Sequence, residues 1–273
     1  TVVMLFYFPA YRGQGQGYFY LYKEWHYEEF LRGFGKSALD VLQYTRLLQV
    51  ILLVALMCLL FWLMQKILDR RASLFVLMLI SFDPMYLGHS RLLTHEAMLS
   101  TLLLVSITAM MVYLFKEKRF YILLISSVSA SLAQLTKSTG IIIFPVIALM
   151  LLVSIWEERN SGDLKMIILD RIKAFGIWLI ILVVLYFAIW PAMWIAPLPI
   201  LREVYWNALS YFFKGARLYS TKGLDNATFN IDTNRITYYI NTVLWRTNPL
   251  IWFGSLATIP LFFKKDSLSK TVK

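Results

Sequence analysis

Five ionisable residues are the most informative candidates for chemistry in this chain. His89, Arg91, His95 and Glu96 fall within Gly88–Ala97, a short polar segment between two apolar runs, and Lys137 stands in the polar break Thr136-Lys137-Ser138. Ionisable groups at a membrane boundary mark a functional site by default. Two or more cations can neutralise a phosphate, and a carboxylate beside them can act as base or orient an incoming nucleophile. That is the equipment for displacing a lipid-linked phosphate. Metal binding competes, because His89, His95 and Glu96 are suitable donors. Their spacing of six and one, however, matches neither the His-Glu-x-x-His pattern nor a closed site. No metal ligand and no definite cofactor is assigned, and a divalent metal is kept as an alternative. The plainest reading is a set of satisfied interfacial polar groups.

The elements that position these residues belong to a membrane protein. Hydrophobic residues make up 59% of the 273 and charged residues 16%, against about 25% charged in a soluble domain. Runs long enough to span a bilayer occur near 47–65, 72–88, 97–115, 120–135, 140–156, 174–195 and 248–263. The expected fold is all-α, a polytopic bundle of about seven spans. Two runs are weaker. Asp83-Pro84 interrupts 72–88, and Ser126, Ser127, Ser129 and Ser131 dilute 120–135. Hydroxylated and small residues in a span serve helix packing, and no Gly-x-Ser-x-Gly elbow argues for a nucleophile.

Basic residues sort the loops, since Lys and Arg in short loops stay cytoplasmic. Segments 66–71, 116–119, 156–173 and 264–273 hold 14 cations in 38 residues, whereas 1–46, 89–95, 135–139 and 191–246 hold 13 in 114. The first set is expected inside. Four units follow: an outer polar and aromatic segment 1–46, a membrane bundle 47–190, an outer interfacial segment 191–246, and a last span with a basic tail 247–273. His89, Arg91, His95, Glu96 and Lys137 then share the outer face of a cytoplasmic membrane or its equivalent. The net charge of +11 is explained by topology and anionic lipid. No interleaving of aromatic and basic residues suggests nucleic acid.

The single cysteine, Cys58, lies in the first apolar run and excludes an intrachain disulfide or a cysteine zinc site within this sequence. Thr1–Ala10 reads as the tail of an apolar element, so further sequence is expected upstream. The Gly13, Gly15, Gly17 run lacks the flanking strand and Lys-Ser/Thr of a phosphate loop and reads as a surface turn. Residues 200–214 are expected to form a helix along the membrane surface, with a cover over an active cavity as the sharper alternative. Asn226-Ala-Thr228 is a glycosylation sequon.

A set of blocks in fixed order carries a family likeness. They are Trp25-x-Tyr27-x-x-Phe30-Leu31, Leu42-x-x-x-Arg46-Leu47, Asp83-Pro84 through His89-x-Arg91-Leu92-x-Thr94-x-Glu96, Leu135-Thr136-Lys137-Ser138, and Tyr238-Tyr239 with Arg246-Thr247-Asn248-Pro249. The order resembles the dolichyl-phosphate-mannose protein mannosyltransferases and their bacterial relatives, including aminoarabinose transferases, of the glycosyltransferase C superfamily. The resemblance implies a multi-spanning enzyme that takes sugar from a polyprenyl-phosphate donor and passes it to a protein, lipid or glycan acceptor. It makes Glu96 the membrane-boundary acid with His95 beside it, and Lys137, Arg91 and His89 the phosphate-facing group. The acid is usually Asp in such proteins. Their principal Asp sits in a first outer loop near a His-Pro-Pro motif, and neither is in this sequence. The competing expectation is therefore a structural membrane subunit of a larger complex that keeps a transferase-like scaffold. A transporter ranks third, because the spans carry almost no buried charge and no matched pair of interrupted helices.

Overall fold

The structure, a computed structural model, describes residues 37–214 apart from Leu93 and Ser161, together with Gly35, Trp252 and Leu256, and gives only the backbone for Ala38 and 207–214. The described residues are helical, in the order α1 (Ala38–Met64), α2 (Arg70–Ser81), α3 (Pro84–Arg91), α4 (His95–Phe115), α5 (Phe120–Thr136), a 3-10 turn (Ser138–Ile142), α6 (Ile143–Glu158), α7 (Leu164–Ile189), α8 (Ala192–Ile195) and α9 (Pro197–Lys214). Four of these units are long and apolar enough to cross a membrane, namely α1, α4, the turn with α6, and α7. The bent pair α2–α3 makes a fifth. The fifth helix has 17 residues, about 26 Å at 1.5 Å per residue, slightly short of a hydrocarbon core of about 30 Å. Seven spans were expected from the apolar runs, and these residues hold four or five. The run 248–263 lies outside the described residues except at Trp252 and Leu256. The chain is an integral membrane protein.

Caps set the helix boundaries. Ser37 and Asp40 form a capping box, with Ser37 Oγ accepting from Asp40 N–H at 3.1 Å and Asp40 Oδ2 accepting from Ser37 N–H at 3.4 Å. Helix α1 thus starts nine residues before the apolar run at 47, and Arg46 lies inside it. The 72–88 run is broken: Pro84 at a first helical position cannot continue α2, while Asp83 Oδ1 accepts from Met85 and Tyr86 N–H at 3.0 and 2.9 Å. The two halves meet at 60°. Asp163 caps α7 through Lys165 N–H. The helix has 26 residues, about 39 Å, so its first turns extend past the hydrocarbon. Lys165, Arg171 and Lys173, counted above as loop cations, are on this helix. Arg171 is buried, 1% exposed, and bonds Glu158 at 2.6 Å and Asp170 at 3.0 Å.

Helix α4 forms the centre, packing on α1, α3, α5 and α6, and α5 packs in turn on α7. Serines let α4 and α5 approach closely. Ser106 Oγ donates to the Ser126 carbonyl at 2.8 Å, Ser126 Oγ donates to the Ser106 carbonyl at 2.9 Å, and Trp178 Nε1 of α7 donates to Ser126 Oγ at 3.0 Å. The serines are packing residues, as their composition suggested. Met110, Leu123, Ile143, Ile147 and Trp178 form one core cluster; Leu60, Leu63, Val105, Val112 and Ile122 form another.

Ion pairs fix which helix ends meet. At one end Lys66 Nζ bonds Glu117 Oε1 at 3.0 Å and Lys118 Nζ bonds Asp170 Oδ2 at 3.0 Å. At the other, Lys137 bonds Glu96. The basic segments 66–71, 116–119 and 156–173 therefore gather at one end and the candidate site at the opposite one; the basic tail 264–273 lies outside the described residues.

Candidate functional site

The segment His89–Glu96 runs from the last turn of α3 into the first turn of α4. It is held on both sides. Thr94 Oγ1 donates to the His89 carbonyl at 3.1 Å, and Tyr86 OH shares a 2.8 Å hydrogen bond with Thr101 Oγ1, fastening α3 to α4. His89 and Arg91 occupy the last turn of α3, where positive charge complements the helix dipole. His89 Nδ1 is buried and has no hydrogen-bond partner among the described residues. His95 and Glu96 open α4. His95 is exposed.

Lys137 arrives from the other side of the bundle. It caps α5 in extended conformation, its N–H donating to the Ala133 carbonyl at 3.1 Å, and its own carbonyl accepts from Gly140 N–H at 2.9 Å. Gly140 allows a close approach in this turn: a Cβ there would stand 3.0 Å from the Ala133 carbonyl oxygen and 3.2 Å from Gln134 N, so the backbone would have to give by a few tenths of an ångström. The turn delivers Lys137 Nζ to Glu96 Oε1 as an ion pair. These side chains are 39% and 42% exposed, so a ligand can reach them. Two residues 41 apart in sequence, assigned to one site from loop sorting and motif order, thus touch. The pairing also compensates the Lys137 charge.

Helix α9 sits at this end. Its partly covered positions 197, 200, 201, 204 and 205 follow the i, i+3, i+4, i+7, i+8 spacing of a one-sided helix. Tyr205 OH donates to Gln134 Oε1 at 3.2 Å, one turn before Lys137. The helix expected at 200–214 therefore begins at Pro197 and rests on the end of α5 that carries the site. Burial raises the Tyr205 hydroxyl pKa above its ordinary value, against a hydrogen bond with Tyr186 that lowers it.

A groove of about 900 Å³ opens between α1 and the broken α2–α3 pair. Its wall is apolar along Val50, Val54, Met57, Phe61 and Leu77, and polar at one end, where Arg46 and Arg91 face it. Gln49 Nε2 donates to the Leu92 carbonyl at 3.4 Å, tying the two arginine-bearing ends together. Neither arginine has an ion-pair partner among the described residues. Sequence reading placed Arg46 in a motif block but gave it no role; the Ser37-x-x-Asp40 cap was the signal that it belongs to a helix. No group of three or more His, Cys, Asp and Glu side chains that could hold a metal occurs among the described residues.

In comparison with known proteins, neither a curated protein nor a solved structure matches the chain significantly. The family described as dolichyl-phosphate-mannose-protein mannosyltransferase matches residues 23–196, well over half of the chain and all five candidate site residues. The chain belongs to the dolichyl-phosphate-mannose-protein mannosyltransferase family of membrane glycosyltransferases.

Proposed function

We propose that the protein moves a sugar from a polyprenyl-phosphate donor to a protein, lipid or glycan acceptor at the outer or lumenal face. The acceptor oxygen attacks the anomeric carbon, the bond from that carbon to the phosphate oxygen breaks, and the configuration inverts. Arg91 and Lys137 take up the charge of the leaving phosphate, and His89 supports them. Glu96 or His95 receives the acceptor proton or orients the acceptor. The observation that carries this reading is the meeting of Glu96 and Lys137 at an accessible end of the bundle, opposite the basic loops.

The test uses the full-length protein in membranes with lipid-linked sugars and candidate acceptors. Lys137→Ala weakens donor binding, and Glu96→Gln lowers turnover without weakening binding. Wild-type activity in both variants removes this site assignment, and a wild type that transfers nothing removes the function.

A further inference from the structure

Tyr205 stands where three elements meet at the site end of the bundle. Its hydroxyl donates to Oε1 of the buried Gln134 on α5 at 3.2 Å and shares a hydrogen bond with Tyr186 on α7. Helix α9 itself packs on the 3-10 turn that follows Lys137. Tyr186 is fixed in its turn, because it is buried and its ring meets Trp190 edge-on at 5.4 Å between centroids. Helix α8, which joins α7 to α9, is tied back by Trp194 Nε1, which donates to the Phe187 carbonyl at 2.7 Å. The Tyr205 hydroxyl is therefore held between firm points.

That hydroxyl falls on the last turn of α5. A helix end frays unless its last groups are held. Lys137, which caps α5, carries its charge on a flexible four-carbon stem, so the direction of its backbone decides where Nζ reaches. Gln134 lies three residues before Lys137 and is its neighbour on the helix surface. The close approach at Gly140 holds this turn through the backbone, and Tyr205 holds it through a side chain. We propose that Tyr205 is a positioning residue: by way of Gln134 it fixes the last turn of α5 and so keeps Lys137 on Glu96. The consequence for catalysis rests on the function proposed above, in which Lys137 meets the leaving phosphate. A displacement of about 1 Å at such a group can cost about a hundredfold in rate.

The test reads Lys137 directly, apart from sugar transfer. The full chain in nanodiscs is treated with an N-hydroxysuccinimide ester, and acylation of each lysine is followed by peptide mass spectrometry. An amine that leaves its carboxylate is more open to the reagent, so Glu96→Gln, which removes the partner, sets the upper limit. Tyr205→Phe removes only the hydroxyl and raises the Lys137 rate about threefold, the weight of one neutral hydrogen bond. Lys66 and Lys118, at the opposite end, keep their wild-type rates. Gln134→Leu does the same, and the double variant does no more than either alone, because both remove one interaction. Trp206→Phe, on the exposed side of α9, behaves as wild type. In transfer, Tyr205→Phe lowers turnover about fivefold and does not lower the residual turnover of Lys137→Ala. A Lys137 rate unchanged in Tyr205→Phe overturns the proposal, as does a rise shared by Lys66 and Lys118, which is a general loosening of the bundle. Additive effects in the double variant overturn the route through Gln134, and a turnover loss that persists in Lys137→Ala overturns the route through Lys137. A response confined to Lys137 in a protein that transfers no sugar supports the positioning and removes the transferase reading instead.

Discussion

Replacing Gly140 by alanine tests whether the turn after α5 is what aims Lys137 at Glu96. The added Cβ meets three backbone atoms of α5: Ala133 O at 3.0 Å, Ala133 C at 3.1 Å and Gln134 N at 3.2 Å. None belongs to a flexible side chain. Ala133 is fully buried, and its carbonyl already accepts from Lys137 N–H at 3.1 Å, so the helix end cannot retreat without losing that bond. The turn must move instead, stretching the 2.9 Å bond from Gly140 N–H to the Lys137 carbonyl. Overpacking of this kind costs about 2 kcal/mol, offset by about 0.7 kcal/mol from the lower entropy of the unfolded chain. A net loss of about 1–2 kcal/mol is expected. A Cβ on Gly176 in α7 would meet nothing within 4 Å, so Gly176→Ala should gain about 0.5–1 kcal/mol as a helix-interior substitution. The assay is thermal unfolding of both variants in one detergent, with donor binding as a second readout. Equal midpoints for the two variants, or donor binding in Gly140→Ala indistinguishable from wild type despite a lowered midpoint, would refute this account of how Lys137 is placed.

Two further outcomes are expected from the other parts of the bundle. Trp178→Phe removes the hydrogen bond to Ser126 Oγ from a fully buried side chain and leaves a void, which costs about 2 kcal/mol and is read as a lowered unfolding midpoint. The hydrogen bond from Lys66, aided by the charges of Lys66 and Arg119, holds the Glu117 carboxyl below its usual pKa. A depressed carboxyl stabilises the fold above the ordinary glutamate range and loses that contribution as pH falls through its folded value. Unfolding midpoints of wild type should therefore drop more steeply below about pH 4.5 than those of Lys66→Met. Parallel curves would show that the pair contributes nothing.

Apolar runs made the spans legible because burial in lipid demands long unbroken stretches, and capping chemistry explains where that reading slipped. A hydropathy scan ignores Ser37 and Asp40, so it started the first helix at 47 and left Arg46 in an outer segment, whereas the capping box starts α1 at Ala38. Asp83-Pro84 was visible as a weakness in a span and proved to be a cap and a first helical residue. Counting loop cations grouped 66–71, 116–119 and 156–173 at one end as the described residues do, yet it treated Arg171 as solvated when the side chain is 1% exposed between Glu158 and Asp170. Only the fold could show that, since burial of α7 against α5 is a tertiary fact. The Glu96–Lys137 meeting was legible in outline because alternating spans return both residues to one end. Their direct ion pair was not, because it depends on the close approach at Gly140.

That ion pair changes what the cations can do. Sequence reading treated Arg91, His89 and Lys137 as one phosphate-facing group, but a lysine bonded to a carboxylate presents little net charge to an incoming anion, while Arg46 and Arg91 have no ion-pair partner among the described residues and face an apolar groove. Attraction therefore points first to the arginines. Glu96, in the first turn of α4, reaches across to Lys137. Protonating Glu96, or removing its charge as Glu96→Gln does, releases Lys137 as a third cation at the same end. Phosphate affinity should then rise in Glu96→Gln even as turnover falls, and this opposite movement of binding and rate separates a carboxylate that tunes the lysine from one that merely holds the helix ends together, whose loss would weaken both.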